Sequence, residues 1–524
     1  MRARVDPIEL ELFKNIFIAV SEEMAAVLGR TALSPNIKER KDFSCSLFNE
    51  CGETLAQGSH IPVHLGAMPL SVQAAISSVR FEPGDLVILN DPYRGGTHLP
   101  DITCVSPVFF GGRPLFYVAN RAHHADVGGM SPGSMPLATE LFQEGLIIPP
   151  LKLVSRGRRN EDVLAFLLAN VRTPDERRGD LLAQVAANDI GRRRLAEAVG
   201  RHGLAEVRRY AGLVQEYTER ILRQTIRGIP DGRYAFEDVM DDDGVSDRPV
   251  RIAVEVTVHG DRATVDFSRS DPQTEGGINA NLAITTSAVL YVFRSLVAED
   301  IPFNTGLMKP LDIVAPRGLV VNALFPAACA AGNVETSQRI VDVLLGALAK
   351  AVPDRVPAAS QGTMNNVAFG GRDPGRSGAP FAYYETVGGG MGAGREADGL
   401  SGVHTHMTNS LNTPLEALEN YLPVRVRRYG LRRGSGGAGA RRGGDGIVRE
   451  FEFLVPADLT IMSDRRVFAP YGLRGGRPGA RGRNTLVSGA SKRDLGGKAR
   501  VKVRAGDILR VETPGGGGYG RRRR

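Results

Sequence analysis

The stretch from residue 90 to residue 129 limits the fold of this chain more than any other. It holds three of the nine histidines together with three aspartates. Pro100 lies between His98 and Asp101, so a regular helix is not expected there. The preceding Gly95-Gly96 pair permits a tightly folded loop. The sequence therefore predicts that His98 and Asp101 project from an irregular loop.

A β-hairpin is predicted directly after this loop. The strand candidates are residues 103–109 and 115–120, and Gly111-Gly112 between them is typical of a hairpin turn. The second strand leads into His123-His124-Ala125-Asp126, which a hairpin can bring next to the first His/Asp pair. Imidazole and carboxylate groups suit Mn, Fe or Zn. Histidine and aspartate in turns also occur as surface residues, but their clustering in one glycine-rich segment favours a metal or catalytic site.

Length and hydrophobic pattern predict a mixed α+β protein with several lobes. A chain of 524 residues can bury more than one core. We expect an N-terminal hairpin-rich α+β lobe with the metal-site motifs (1–155), a long helical arm (156–230), an α+β middle lobe (231–384) and a β-rich, glycine- and arginine-rich C-terminal lobe (385–524).

Individual elements follow from the spacing of apolar residues. Helical spacing predicts a first helix that ends near Gly29 and buries one face, formed by Leu12, Ile16, Val20, Met24 and Leu28. Alternation predicts strands at 252–258 and 263–267. Further helices are predicted at 283–297 and 337–351, and Asn-Gly loops at 276–281 and 331–335 precede them. Asparagines in such loops can line polar pockets, although turn formation alone also explains them.

Composition narrows the class of protein. The N-terminus lacks the apolar core of a signal peptide and no apolar run is long enough to cross a bilayer, so a cytoplasmic protein is expected. The four cysteines form no CxxC pattern and are expected to be reduced. Arginine-rich blocks at 425–442, 465–483 and 521–524 could bind nucleic acid or an acidic partner, or form a solvated surface. Aromatic residues are scarce among them, which makes a nucleic-acid partner an unfavoured prediction.

Two further segments remain open to interpretation. His60 and His64 flank Pro62 and are candidates for metal ligands, for groups facing a substrate, or for structural residues. The glycine run at 514–520 is a candidate for a flexible tail or for a segment that wraps another subunit. No GxxxxGK[ST] motif occurs, so the sequence predicts no P-loop for ATP.

The chain resembles the hydantoinase B/oxoprolinase family, which also includes the alpha subunit of acetone carboxylase. The resemblance covers nearly the whole chain, and its central motifs are long. They are Glu39-Arg40-Lys41-Asp42-Phe43-Ser44, Asn90-Asp91-Pro92-Tyr93, Gly95-Gly96-Thr97-His98-Leu99-Pro100-Asp101 and His123-His124-Ala125-Asp126-Val127-Gly128-Gly129. Later matches are Asn170-Val171-Arg172, Gly179-Asp180-Leu181, Gly277-Ile278-Asn279-Ala280 and Asn412-Thr413-Pro414-Leu415-Glu416.

This resemblance implies a B-type subunit that works with an ATP-using, hydantoinase A-type subunit, as a heterotetramer or a larger hetero-oligomer. The partner would phosphorylate the oxygen of a hydantoin, 5-oxoproline or other lactam, and this chain would complete ring opening at a divalent metal, which would be Mn, Zn or Fe. The first helix and the glycine run are candidate contacts with the partner. The alternative within the family is a metal-dependent ketone carboxylase of the acetone type. A scaffold without catalytic activity is the hypothesis from a different class.

The resemblance also assigns roles to individual residues. The metal set carried over is His98, Asp101 and His123, with Asp42 as fourth ligand. Asp91, His124 and Asp126 are reserve ligands or groups that orient the imidazoles, and His124 or Asp126 is the candidate general base. Gly434 stands where relatives often carry aspartate, which puts a carboxylate role there in doubt.

Overall fold

The computed structural model describes residues 6–58 and 60–522, and it confirms a mixed α+β fold. The helices in this part of the chain are α1 (Pro7–Thr31), α2 (Pro35–Lys38), α3 (Ala67–Ser78), α4 (Glu161–Ala169), α5 (Pro174–His202), α6 (Leu204–Arg227), α7 (Leu282–Ser295), α8 (Ser337–Leu348) and α9 (Leu415–Tyr421). No helix among these residues combines the length and the apolar character that crossing a membrane requires.

The strands form four sheets. They are β1 (Phe43–Asn49), β2 (Thr54–Gln57), β3 (Leu86–Leu89), β4 (Asp101–Phe110), β5 (Arg113–His123), β6 (Leu151–Ser155), β7 (Arg158–Arg159), β8 (Gly232–Met240), β9 (Val250–His259), β10 (Arg262–Asp266), β11 (Leu311–Val314), β12 (Asn366–Asp373), β13 (Ala379–Glu385), β14 (Val424–Arg432), β15 (Gly446–Phe453), β16 (Ala457–Met462), β17 (Arg483–Ser488), β18 (Ser491–Asp494), β19 (Lys498–Val503) and β20 (Ile508–Glu512). Their orders are β2-β1-β5-β4-β3-β6-β7, β11-β10-β9-β8, β13-β12-β16-β19 and β14-β15-β20-β17-β18.

The predicted hairpin is confirmed as β4 and β5, at the centre of the first sheet. Gly111 and Gly112 form its turn with φ angles of 57° and 77°. Residues with side chains rarely adopt such angles, which explains the glycine pair. The hairpin register pairs Asp101 with His123 at the opposite end. The turn and the strand lengths therefore bring two residues together that are far apart in sequence.

Helix α1 confirms the first predicted helix but buries a partly different face. The residues against the core include Phe13, Phe17, Val20, Met24 and Leu28. Leu12 is instead 41% exposed, and Ile16 is only partly buried. At the N-terminal end Phe13 and Phe17 are the core residues, because an aromatic side chain buries more apolar area than leucine or isoleucine.

The predicted helical arm consists of α4, α5 and α6, and α5 lies on the first sheet. The side-chain amides of Gln184 and Asn188 donate to the backbone carbonyls of Ile102 and Cys104 on β4, at 2.9 and 3.1 Å. Helix α6 follows after Gly203 and packs with α1. The helical segment therefore forms one layer of the N-terminal core.

The middle and C-terminal sheets confirm the predicted elements there. Strands β9 and β10 form the predicted antiparallel pair. Helices α7 and α8 match the two predicted helices and pack in the same core. Strand β12 pairs with both β13 and β16, so one sheet contains strands from either side of residue 384. The four predicted segments remain a prediction of domain organisation.

The glycine run near the C-terminus is buried, unlike the flexible tail that was one prediction for it. Gly516 donates to the carbonyl of Gly444 at 2.9 Å and accepts from Gly437 at 2.8 Å. Gly517 donates to the carbonyl of Ala359 at 2.8 Å. Several glycine-rich segments thus pack backbone against backbone, and only glycine leaves the space for this.

We expect Gly516→Ala to destabilise the protein by about 3 kcal/mol or more, because the new methyl group would overlap the backbone carbonyl of Met391. Gly430→Ala is the matched control, since a methyl group there meets no atom within 4 Å. Chemical denaturation followed by circular dichroism measures both. Equal denaturation midpoints for the two variants would contradict this account of the glycine packing.

Candidate metal centre

Three side-chain donor atoms meet at the end of the β4–β5 hairpin. His98 Nε2 and His123 Nδ1 each lie 3.1 Å from Asp101 Oδ1. The two imidazole nitrogens are 3.2 Å apart. All three side chains are at most 3% exposed. We call this group, which the sequence predicted as part of the metal set, the triad.

Local backbone structure places each member of the triad. Asp101 begins β4 and His123 ends β5, so the hairpin register positions both. The backbone amide of His123 donates to the carbonyl of Asp42, and that of His124 donates to the carbonyl of Pro100, at 3.0 and 2.9 Å. Asn281 holds the loop that contains His98 in place, because its side-chain amide donates to the backbone carbonyls of Gly96 and Thr97.

The second oxygen of Asp101 is held by two other side chains. Thr97 Oγ1 donates to Oδ2 at 2.5 Å, and His64 Nε2 lies 3.3 Å from it. His64 Nδ1 lies 2.9 Å from Ser44 Oγ. These contacts fix the carboxylate so that Oδ1 faces the imidazoles of His98 and His123.

The pKa values of Asp101 and His123 favour binding of a cation at the triad. Burial alone raises the pKa of Asp101, but the neighbouring His98, together with hydrogen bonds from His123 and His64, outweighs it and holds the pKa well below the usual range. Burial lowers the pKa of His123 and of His64 despite the nearby carboxylate. An ionised Asp101 carboxylate and a His123 imidazole whose pKa is lowered both favour binding of a metal ion.

The donor set and its spacing fit a divalent ion. Two nitrogens and one oxygen are ligands that Zn, Mn and Fe accept. Donors bonded to one ion at about 2.0–2.2 Å lie roughly 2.8–3.6 Å apart, over the angles from octahedral to tetrahedral coordination. The observed separations of 3.1 to 3.2 Å fall in that interval. His98, Asp101 and His123 are therefore the residues that could hold a metal.

A cavity of about 20 Å³ adjoins the triad, and we call it the metal cavity. Asp42, the predicted fourth ligand, lines it beside Asp101 and His123. Asp42 Oδ2 lies 3.6 Å from Arg40 Nη2, and its carboxylate is not within the group of mutually close donors. Ligation by Asp42 remains a prediction.

The other predicted residues lie away from the triad donors. His124 Nε2 is 2.9 Å from Gln184 Oε1, and the Asp126 carboxylate pairs with Arg172 at 2.9 Å. Both line a different small cavity, beside Arg177. Asp91 accepts from the backbone amide of Tyr93. The structure does not bring these three carboxylate and imidazole groups to the metal cavity, and their catalytic or ligand roles remain predictions.

Two residues of the centre were not singled out by the sequence. Asn333, in the π-helical turn Gly332–Thr336, lies 3.1 Å from His98 Nε2. Its Asn-Gly loop was the only signal, and it indicated a polar pocket without assigning it to this site. The ring of Tyr384 stacks on His123 at 4.4 Å, and no local pattern distinguishes it. His64, an open candidate in the sequence, is brought to Asp101.

Comparison with known families gives one match over almost the whole chain. The family described as hydantoinase B/oxoprolinase matches residues 6–522. The chain is 40% identical to 5-oxoprolinase 1 of Arabidopsis thaliana, over 98% of this chain but only 42% of that protein. It is 32% identical to a putative B-type subunit of a D-/L-hydantoinase from Pseudomonas sp. (strain NS671), over 99% of this chain and 90% of that one.

Solved structures give the same relationship. The ATP-dependent caprolactamase from Pseudomonas jessenii superposes with a TM-score of 0.92 at 29% identity, covering 99% of this chain and 91% of that chain. An acetone carboxylase superposes with a TM-score of 0.90 at 20% identity, covering 98% of this chain and 76% of that chain. At that identity the second likeness shows the fold alone.

Proposed function

Because the chain belongs to the hydantoinase B/oxoprolinase family, we propose that it is the hydrolytic, B-type subunit of an ATP-dependent cyclic amide hydrolase. The observation that carries the proposal is the triad, with three buried donor atoms 3.1 to 3.2 Å apart. The names of the relatives support the substrate class, since 5-oxoproline, hydantoin and caprolactam are all cyclic amides.

The proposed division of work follows from amide chemistry. Resonance makes a ring amide carbonyl a poor electrophile, and phosphorylation of its oxygen removes that resonance and creates a leaving group. We assign phosphorylation to an A-type partner, because this sequence has no P-loop and a relative of similar length is named as one subunit of a hydantoinase. The chain spans less than half of the 5-oxoprolinase from Arabidopsis, which leaves room for a second activity in that longer protein.

Each residue of the centre has a proposed role. His98, Asp101 and His123 hold the metal ion, and Asp42 is the proposed fourth ligand. A divalent ion held by these residues would lower the pKa of a water molecule towards about 7 and so make it a better nucleophile at neutral pH. His64 and Thr97 are positioning residues, because they hold Asp101 through its second oxygen. The proposed general-base role of His124 or Asp126 rests on the family resemblance alone.

The test is a coupled assay of the chain copurified with an A-type partner. We expect ring opening of 5-oxoproline, a hydantoin or caprolactam that requires ATP, releases phosphate and is lost when either subunit is omitted. Ring amides are tested in parallel with small ketones plus bicarbonate. Consumption of a ketone that requires bicarbonate, with no ring opening, would contradict the hydrolase proposal and support the carboxylase alternative.

A further inference from the structure

A second, larger cavity adjoins the metal cavity. It measures about 810 Å³ and is lined by α1, by the segment 38–43, by His60 and by the segment 409–411. We call it the adjoining cavity. The same parts of the chain continue into the metal cavity, which is lined by Asp42, Ile61 and Thr408.

Neighbouring residues of the chain line the two cavities at three points, and we call these three segments the wall. Asp42 lines the metal cavity, while its neighbours Lys41 and Phe43 line the adjoining cavity. His60 and Ile61 divide in the same way, as do Thr408 and Asn409. A ligand in the adjoining cavity therefore lies directly beside the metal cavity.

The side chain of Arg40 holds this wall together. Its guanidinium donates to the carbonyls of Leu411 and Tyr384, at 3.3 and 3.1 Å, and to Thr386 Oγ1 at 2.7 Å. It also lies 5.2 Å from the centre of the Tyr384 ring, which stacks on His123. One buried arginine thus connects the wall to Tyr384 and, through its ring, to His123 of the triad.

The two cavities differ in the size of the ligand that each can hold. The metal cavity, at about 20 Å³, has room for roughly one water molecule. A phosphorylated ring does not fit in it. The adjoining cavity falls within the range of about 300–1,000 Å³ that is typical of small-molecule sites. Of these two cavities, the adjoining cavity is therefore the one with space for the ring and its phosphoryl group.

Unpaired cations lie around the adjoining cavity. Arg30, Lys38 and Lys41 are exposed, and none has an ion-pair partner within residues 6–58 and 60–522. Among the anions in the lining, Glu22 lies 3.7 Å from His60, and Glu39 is the other. Lys41 has a φ angle of 54°, a strained conformation of the kind that clusters at ligand sites.

We propose that the adjoining cavity receives the phosphorylated cyclic amide, and that Arg30, Lys38 and Lys41 bind its phosphoryl group. This inference rests on the proposed function for the identity of the ligand. Ammonium and guanidinium groups form strong charge-assisted hydrogen bonds with phosphate oxygens. The anchored phosphate would hold the ring on the Lys41 side of the wall, so that the adjoining cavity is a receiving site from which the ring passes to the triad.

The experiment measures binding of inorganic phosphate to the whole purified chain by titration calorimetry, after removal of metal with a chelator. We expect Lys38→Ala/Lys41→Ala to raise Kd for phosphate about tenfold or more, because two charge-assisted hydrogen bonds are lost. Lys38→Arg/Lys41→Arg keeps both charges and is expected to bind like the wild type. Arg193→Ala/Lys492→Ala removes two exposed cations elsewhere and is the matched control.

Several results would overturn the proposal. These are undetectable phosphate binding by the wild type, an unchanged Kd in the double alanine variant, or an equal loss in the control pair, which would indicate unspecific attraction. A His98→Ala/His123→Ala variant separates the two proposals, because it is expected to bind phosphate normally. If the wild type binds phosphate through the lysines but holds no metal, the proposed function fails while the cation site stands. If the wild type holds metal but does not bind phosphate through the lysines, the cation site fails while the proposed function stands.

Discussion

Substituting alanine for His98 is expected to reduce the metal content of the purified chain from about one ion to almost none, with loss of coupled ring opening. The triad supplies three protein donors, and the variant retains two. Changing even a supporting partner of a ligand lowers metal affinity roughly 10- to 100-fold, so loss of a ligand should lower it further. Elemental analysis after dialysis measures the content directly.

His259→Ala is the matched control. That side chain is 95% exposed and lies at the end of β9, in a different sheet from the β4–β5 hairpin. Asp101→Asn tests the charge of the site, since it keeps the side-chain shape and removes the carboxylate. We expect it to lose metal as His98→Ala does. Circular dichroism confirms that each variant is folded. A folded His98→Ala protein with wild-type metal content would exclude the triad as the metal centre.

The part of the centre that was predictable from sequence is the part built by local structure. Gly111-Gly112 predicts the hairpin turn, and the hairpin register then places Asp101 opposite His123. Pro100 predicts the irregular loop that presents His98. These relationships span about 25 residues of chain, where turn geometry and strand pairing determine distance.

Residues that reach the centre through tertiary packing were not predictable in this way. Asn333 is 235 positions from His98, its contact in the centre. Tyr384 arrives on β13, which belongs to a different sheet from His123. His124 is adjacent to His123 in sequence but contacts Gln184 instead of the triad donors, because successive residues at a strand end point in different directions, and its role remains a prediction.

A buried ion network joins the middle sheet, α8 and the segment after β16. Arg339 contacts Asp238 and Asp464 at 2.9 and 2.8 Å. Arg465 contacts Asp238 and Asp342, each at 2.6 Å. Burial alone raises the pKa of Asp238, but the two guanidinium groups outweigh it and lower the pKa to about 2. Asp238 is therefore ionised at neutral pH, and its charge is stabilised by both arginines.

We expect Arg465→Met to destabilise the protein by about 3–5 kcal/mol, because the fully buried carboxylate of Asp342 loses its cation while remaining out of water. Arg483→Met breaks the exposed pair with Asp494, in which the two side chains are 60% and 55% exposed, and should cost no more than about 1 kcal/mol. Urea denaturation followed by circular dichroism measures both, since the chain has no tryptophan. If the two variants unfold at the same urea concentration, the network does not hold these parts of the fold together, because its desolvation cost then cancels its attraction.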